Sequence, residues 1–365
     1  MIAALIFLLV FVEKAASQPQ INNIDSFLHL QMKLQKIPGM QIAVVLHGKI
    51  VLLRSYGYSN MEDSIPVTNT TVFPIHSITK AFTGVAVMQL VEDGKINLDA
   101  SVSLYLDSLP ESWRLITIRQ LMTHMSGIPD IINRTAQMID SDDSIAMAKV
   151  MVTPVLFAPG EKFKYTMTNY VLIGRIIDKL TGEPFTQFMK EKQFDPVDMP
   201  NTGFSDSRDV IPHLSESYWY MRNVHNKRVP TNNLQIYFRD WPPFIRAAAG
   251  INTTAEELAK WAIALQKEKL LNKQSLRILW SPGILNNGTH QSFSTIVNGY
   301  GLGWPVTIRS KHNAYGPTGG GCTAMFIYPD DDLTVILLTN LTFSNPESFI
   351  DKVAGYYIPD ISLSN

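Results

Sequence analysis

Phe73-Pro74-Ile75-His76-Ser77-Ile78-Thr79-Lys80, running straight into residues 81–91, is the stretch from which the rest of the chain is read. Positions 81, 82, 85–88, 90 and 91 are apolar. No face is left for water, so the segment predicts a helix in the protein interior. The i,i+3 spacing sets Ser77 and Lys80 side by side on the first turn. A hydroxyl there sits in the positive field of the helix start, and a lysine drawn into an apolar interior loses proton affinity and can act as a base. That is the arrangement of a serine nucleophile activated by lysine. Taken alone, the octapeptide equally fits a serine N-cap beside a surface lysine whose stem lies along the protein.

The chain has 365 residues, 45% hydrophobic and 17% charged, with a net charge of −1. This is the composition of a globular protein with a sizeable core. The charge balance gives no electrostatic case for nucleic acid or an anionic membrane. Residues 2–12 form one apolar run, too short to span a bilayer, and Ala15 and Ser17 suit cleavage, so residues 1–17 read as a signal peptide. Residues 18–23 read as a polar leader after it. No other stretch approaches membrane-spanning length. Five Asn-x-Ser/Thr sequons, at Asn69, Asn133, Asn252, Asn287 and Asn340, are candidate glycosylation sites of a secreted, extracellular protein. The single cysteine, Cys322, rules out a disulfide framework and reads as a small buried hydrophobe in a strand.

Outward from the central helix, residues 25–36 predict an amphipathic helix with Phe27, Leu30 and Leu34 on its apolar side. Residues 41–46 and 49–54 predict a hairpin turning at His47-Gly48. The central helix stops at Asp93-Gly94, and residues 169–180 predict a second buried helix with Gly182 as its stop. Residues 196–240 read as irregular and rich in aromatics. Thr254-Ala255-Glu256-Glu257 reads as a capping box opening a helix with Leu258, Trp261, Ala262 and Leu265 on one face. Residues 300–308, 322–328 and 333–339 read as strands, and Pro346 starts a last short helix. A lone hairpin is unstable, so strands from both ends of the chain must meet. The expected fold class is α+β: an antiparallel sheet flanked by N- and C-terminal helices, with an inserted, mostly helical lobe. The sheet lobe takes residues 18–75 and 247–365, and the helical lobe residues 76–246. The cleft between them is the expected ligand site.

With these elements in order, the sequence resembles the serine β-lactamase and penicillin-binding family, class C branch (peptidase S12 type), over roughly residues 25–355. Ser77-Ile78-Thr79-Lys80 matches its S-x-x-K. Residues 121–129 resemble its L-L-T-H-T-S-G-L-P segment, and Phe157-Ala158-Pro159-Gly160 with Phe163-Lys164-Tyr165 resembles the approach to its second motif. Residues 169–177, 248–255 and Tyr300-Gly301-Leu302-Gly303-Trp304 follow in the family's order, and Pro317-Thr318-Gly319-Gly320 stands where the family has H-T-G-G or K-T-G. The resemblance implies an acyl-enzyme on Ser77, with Lys80 and Tyr165 sharing proton transfer and the Tyr165 phenol pKa lowered by nearby lysine. It implies an oxyanion hole from the backbone N–H groups of Ser77 and Gly320, with Thr318, Gly319 and Gly320 lining the substrate edge.

Two positions depart from the pattern. The second motif reads Tyr165-Thr166-Met167 instead of Y-x-N, and the third-motif Lys or His is Pro317. A thioether donates no hydrogen bond, and proline brings neither charge nor N–H. A literal Tyr58-Ser59-Asn60 precedes Ser77 and falls in a strand, so it is no part of the site. Two functions follow. One is a secreted serine hydrolase, an esterase or amidase acting on a small-molecule or peptide carbonyl compound. The other is a weak or inactive member with a structural role among extracellular matrix components, as in mollusc shell. No cofactor is implied. Among eight histidines no His-Glu-x-x-His or other close ligand cluster is seen, so no metal site is expected.

Overall fold

The computed structural model describes residues 18–133, 137–224, 227–294 and 297–361. The signal-peptide reading of residues 1–17 therefore lies outside the described residues. Helix α1 (Gln18–Gln35) leads into β1 (Gly39–Leu46) and β2 (Lys49–Asn60). His47 and Gly48 join the strands with φ of 52° and 68°, the left-handed pair that a two-residue hairpin requires. Strands β3 (Ile65–Pro66) and β4 (Phe73–Pro74) precede the 3-10 turn His76–Ile78 and α2 (Thr79–Glu92). The insertion supplies α3 (Ile118–Met122), α4 (Asp143–Met151), α5 (Met167–Thr181) and α6 (Phe185–Met189). It continues with β5 (Gly203–Phe204), β6 (Tyr218–Val224) and β7 (Lys227–Ile236). Strand β8 (Ile251–Thr253), α7 (Ala255–Gln266) and α8 (Lys273–Trp280) bring the chain back. Strands β9 (Gly299–Tyr300), β10 (Pro305–Thr307), β11 (Ala314–Tyr315), β12 (Thr318–Gly319), β13 (Thr323–Tyr328) and β14 (Leu333–Thr339) complete the sheet, and α9 (Ile350–Ala354) follows.

The main sheet is antiparallel, in the order β3-β2-β1-β14-β13-β11-β10-β9, with β12 also on β13. The early and late strands meet as expected: β1 pairs with β14 from Met40↔Thr339 to Leu46↔Leu333. Side chains alternate between two cores with the strand period of two. Ala43, Val45, Met325, Ile327, Ile336 and Leu338 join α2 and α7 in one core. Met40, Ile42, Val44, Phe326, Val335 and Leu337 join α1 and α9 in the other. Helix α2 is buried nearly all round, with Phe82 stacked on Trp261 at 3.9 Å.

Several expectations are corrected. Residues 18–23 are helical instead of a polar leader, and of the expected apolar side only Phe27 packs against the core. Ile24 and Leu28 are fully buried, while Leu30 and Leu34 are 51% and 66% exposed. Residues 196–240 contain the β6–β7 hairpin, whose half-exposed strands lack a clear alternation. The strand expected at 300–308 breaks into β9 and β10, which double back so that Gly301 N–H donates to the Trp304 carbonyl. Thr254 does cap α7 by accepting from Glu257 N–H. The reciprocal half of the box is absent, because the Glu257 carboxylate turns instead to Asn201 and Thr202. Helix α8, which the sequence reading passed over, is capped by Asn272. Cys322 lies in the turn before β13, buried as expected.

Gly84, inside α2, lets the Leu302 carbonyl come so close that an added Cβ would stand 2.1 Å from its oxygen. Alanine is the better helix former by about 1 kcal/mol, yet Gly84→Ala is expected to destabilise by about 1–3 kcal/mol through overpacking. Urea unfolding of the variant checks the sign.

Candidate active site

Ser77 sits in the 3-10 turn that opens α2. His76 holds φ of 47° there, and Gly320 packs against its ring so closely that a Cβ would meet it at 2.8 Å. Only glycine allows this approach at Gly320's own φ of 58°. The turn thus brings Ser77 and the Thr318-Gly319-Gly320 edge together. Ser77, Thr318 and Gly320 line a cavity of about 160 Å³ with Tyr165, Phe293, Tyr300, Gly303 and Pro305.

Lys80 is fully buried, one helical turn on. Its Nζ lies 3.3 Å from Ser77 Oγ, 3.2 Å from Met167 Sδ and 2.8 Å from the Ala248 carbonyl oxygen. Tyr165, on the extended approach to α5, donates its hydroxyl to Ser77 Oγ at 2.9 Å. Two side chains, one from the next helical turn and one from 88 residues on, therefore converge on the Ser77 oxygen. Tyr58 and Asn60 lie in β2, in agreement with the sequence reading.

Burial pushes the Lys80 pKa down to about 7, and the negative charge of Asp130 works in the opposite direction. The expectation for Tyr165 is corrected. Burial holds its phenol above the ordinary value, and the bond to Ser77 only partly offsets this. Its ring lies among those of His124 (4.3 Å), Phe293 (5.2 Å) and Tyr300 (6.3 Å), where a phenolate would be poorly solvated. The arrangement suits Tyr165 to donating a proton and Lys80 to accepting one.

Asp130 is a site residue that the sequence reading missed, although it directly follows the recognised 121–129 segment. Its Oδ1 accepts from Met167 N–H at 2.9 Å and from Ile132 N–H at 3.3 Å. His124 is fully buried beneath Tyr165. Its Nδ1 accepts from Thr166 N–H (3.3 Å) and faces the Asn169 amide nitrogen (3.2 Å). Burial, then the Lys80 charge, depresses its pKa, so it stays neutral and structural. Burial, then Arg239, lowers the His76 pKa to about 3. Among the described residues no group of three or more His, Cys, Asp or Glu could hold a metal ion.

The candidate glycosylation sites divide. Asn69, Asn133 and Asn287 are exposed. Asn252 and Asn340 are each 2% exposed. Asn252 Nδ2 donates to Ser205 Oγ and the Gly250 carbonyl, and Asn340 Nδ2 to the Tyr58 carbonyl and Ser215 Oγ. These two are corrected: in the folded protein their amides are structural donors closed to a glycan.

A family model described as Beta-lactamase matches residues 24–355. Protein flp of Staphylococcus aureus is 28% identical over 338 residues, covering 88% of this chain. The chain spans only 63% of that relative's length. A penicillin-binding protein homologue from Pyrococcus abyssi, described as octameric, superposes with a TM-score of 0.77 at 25% identity, over 94% of this chain and 77% of that one. A D-amino acid amidase from Ochrobactrum anthropi SV3 superposes with a TM-score of 0.78 at 21% identity, over 94% and 99%; at that identity the likeness concerns the fold.

Cys322 is 3% exposed and burial raises its thiol pKa to about 12. Iodoacetamide at pH 8 is therefore expected to leave the native protein unlabelled and to label Cys322 once the protein is unfolded. Peptide mass mapping reads the difference.

Proposed function

We propose, since this chain belongs to the beta-lactamase family, that it is a serine hydrolase acting on an ester or amide through an acyl-enzyme on Ser77. The observation that carries this reading is that Ser77 Oγ lies within reach of both Lys80 Nζ and Tyr165 Oη. In its neutral form Lys80 has two N–H groups and one lone pair. The N–H groups suit the Ala248 carbonyl and Met167 Sδ, and the lone pair is left for the Ser77 proton. As Ser77 Oγ bonds to the substrate carbonyl carbon, its proton passes to Lys80. Negative charge on the carbonyl oxygen is met by the backbone N–H groups of Ser77 and Gly320. Collapse breaks the bond to the leaving group, which takes a proton from Tyr165, and Lys80 restores that proton. Water then hydrolyses the acyl-enzyme by the same transfers in reverse.

Met167 favours this use of Lys80. A thioether is a weak acceptor for an ammonium, so the residue in the Asn position stabilises the charged lysine little. Pro317 removes a cation from the substrate edge, so simple esters and uncharged amides are the favoured substrates, ahead of peptidoglycan peptides and β-lactams. The D-amino acid amidase that shares this fold adds support for amide chemistry. We also propose a secreted location, supported by the exposed sequons at Asn69, Asn133 and Asn287. A weak or non-catalytic member with an extracellular structural role is the competing reading, favoured by the losses at Met167 and Pro317.

A fluorophosphonate is expected to add its mass to the peptide containing Ser77, and to leave Ser77→Ala unmodified. Absence of the adduct in folded protein would favour the non-catalytic reading. Hydrolysis of 4-nitrophenyl butyrate should fall about 10²- to 10⁴-fold in Lys80→Met, the loss typical of a removed general base.

The pH dependence has a definite sign. Protonated Lys80 has no lone pair, so kcat/KM rises as pH increases through about 7 and levels above it. The Asp130 charge raises the Lys80 pKa, so Asp130→Asn should move this limb to lower pH. Met167→Asn offers the ammonium a stronger acceptor and should move it to higher pH. A rate profile unmoved by either substitution would remove Lys80 as the titrating base.

A further inference from the structure

A second cavity of about 490 Å³ shares no lining residue with the Ser77 cavity, but His76 lies between their walls, with Gly320 of the one against its ring and Trp241 of the other edge-on to it. Its lining includes Ile132, Trp219, Arg228, Tyr237, Asp240 and Trp241. Two of its walls are tied to the reacting groups. The Trp241 ring packs edge-on to His76 at 5.9 Å, and His76 is the residue before Ser77. Ile132 donates its N–H to Asp130, whose charge acts on Lys80. The lining mixes four aromatic side chains with polar ones, and its cation, Arg228, meets the Tyr237 hydroxyl but no carboxylate among the described residues. Asp240 is engaged by Arg208 at 2.7 Å, whereas Arg228 has no ion-pair partner among the described residues. The Arg228 guanidinium is half-buried and lies 5.3 Å from the centre of the Trp219 ring.

The leaving group must lie near its proton donor. Tyr165 lines the small cavity, so the leaving group belongs there, in about 160 Å³. The acyl body would then lie on the His76 and Trp241 side, toward the larger cavity. The geometry points to an acyl group with an apolar or aromatic body ending in a carboxylate, stacked among Trp219, Tyr237 and Trp241 and held by Arg228. Aromatic walls bind the body through area and ring contacts, and a guanidinium fork matches a carboxylate. Pro317 disfavours a carboxylate only at the β12 edge; on the β6–β7 side Arg228 supplies the charge, so the favoured ester or amide is neutral at that edge and anionic at the far end of its acyl group. This rests on the hydrolase reading for its orientation, although the binding itself needs no turnover.

The test separates the two. Ser77→Ala protein, checked for folding by circular dichroism, is titrated with 4-phenylbutyrate and with 4-phenylbutyramide, following tryptophan fluorescence. The acid is expected to quench saturably and to bind more tightly than the amide. Arg228→Gln in the same background should erase about 10- to 100-fold of that preference, the span of a lost hydrogen bond to a charged group, and Arg228→Lys should keep part of it. In active protein, the 4-nitrophenyl ester of 4-carboxyphenylacetic acid should exceed its methyl-capped isostere in kcat/KM, and Arg228→Gln should shrink that ratio. Equal binding of acid and amide, no binding to the folded protein, or a preference unchanged in Arg228→Gln overturns the assignment. Failure to hydrolyse any ester, with acid-selective binding intact, counts against the hydrolase reading alone.

Discussion

The structure turns on one buried amine. Lys80 is fully enclosed, and its nitrogen reaches a carbonyl, a thioether and a hydroxyl supplied by three separate parts of the chain. An ammonium in such surroundings is costly because little replaces its water. A neutral amine is tolerated, and the same burial that makes it tolerable leaves it able to take a proton near neutral pH. The Ala248 carbonyl serves both ends. It satisfies an N–H of the base and fixes the amine's direction, so the remaining lone pair faces Ser77.

That carbonyl is held in place by α2 itself. Thr83 Oγ1 donates to the Ala247 carbonyl at 2.7 Å, and Thr79 Oγ1 accepts from Ile251 N–H at 3.3 Å. The buried polar side chains of an otherwise apolar helix therefore all address the strand segment leading through β8. The same contacts that lock the helix to the late part of the chain also shape the base. Gln41 plays a matching part within the sheet: its amide nitrogen reaches the carbonyls of Thr68 and Thr71, and its oxygen takes the N–H of Ala255 at the start of α7. Buried polar groups here are satisfied by distant backbone, which fixes how the sheet and the insertion meet.

The two departures from the family pattern have different consequences. Met167 fills the position beside Lys80 without adding a strong acceptor, so the amine is left neutral more readily and the proton-transfer pair is retained. Pro317 is buried, and its carbonyl accepts from Met325 N–H at 3.0 Å, so it holds the β12–β13 edge in register while contributing no charge. The first change bears on the proton affinity of Lys80; the second bears on the charge of the cavity edge.

Much of the fold was legible in the sequence. An all-apolar run after Ser77, a His-Gly turn between β-rich segments and the late alternating strands each report local preference and burial, and the structure has α2, the β1–β2 hairpin and the β13–β14 pair where they are expected. Ser77 and Lys80 were readable because three residues of helix place them together. Tyr165 was reached only through resemblance, since no local rule links it to a serine 88 positions away. What the tertiary structure alone decided was environment. It made Tyr165 a held phenol instead of an acidified one, brought in Asp130, buried Asn252 and Asn340, and turned α1 onto Ile24 and Leu28. Proton affinity, accessibility and the choice of helix face depend on what the rest of the chain packs against each group, and that is a property of the assembled fold.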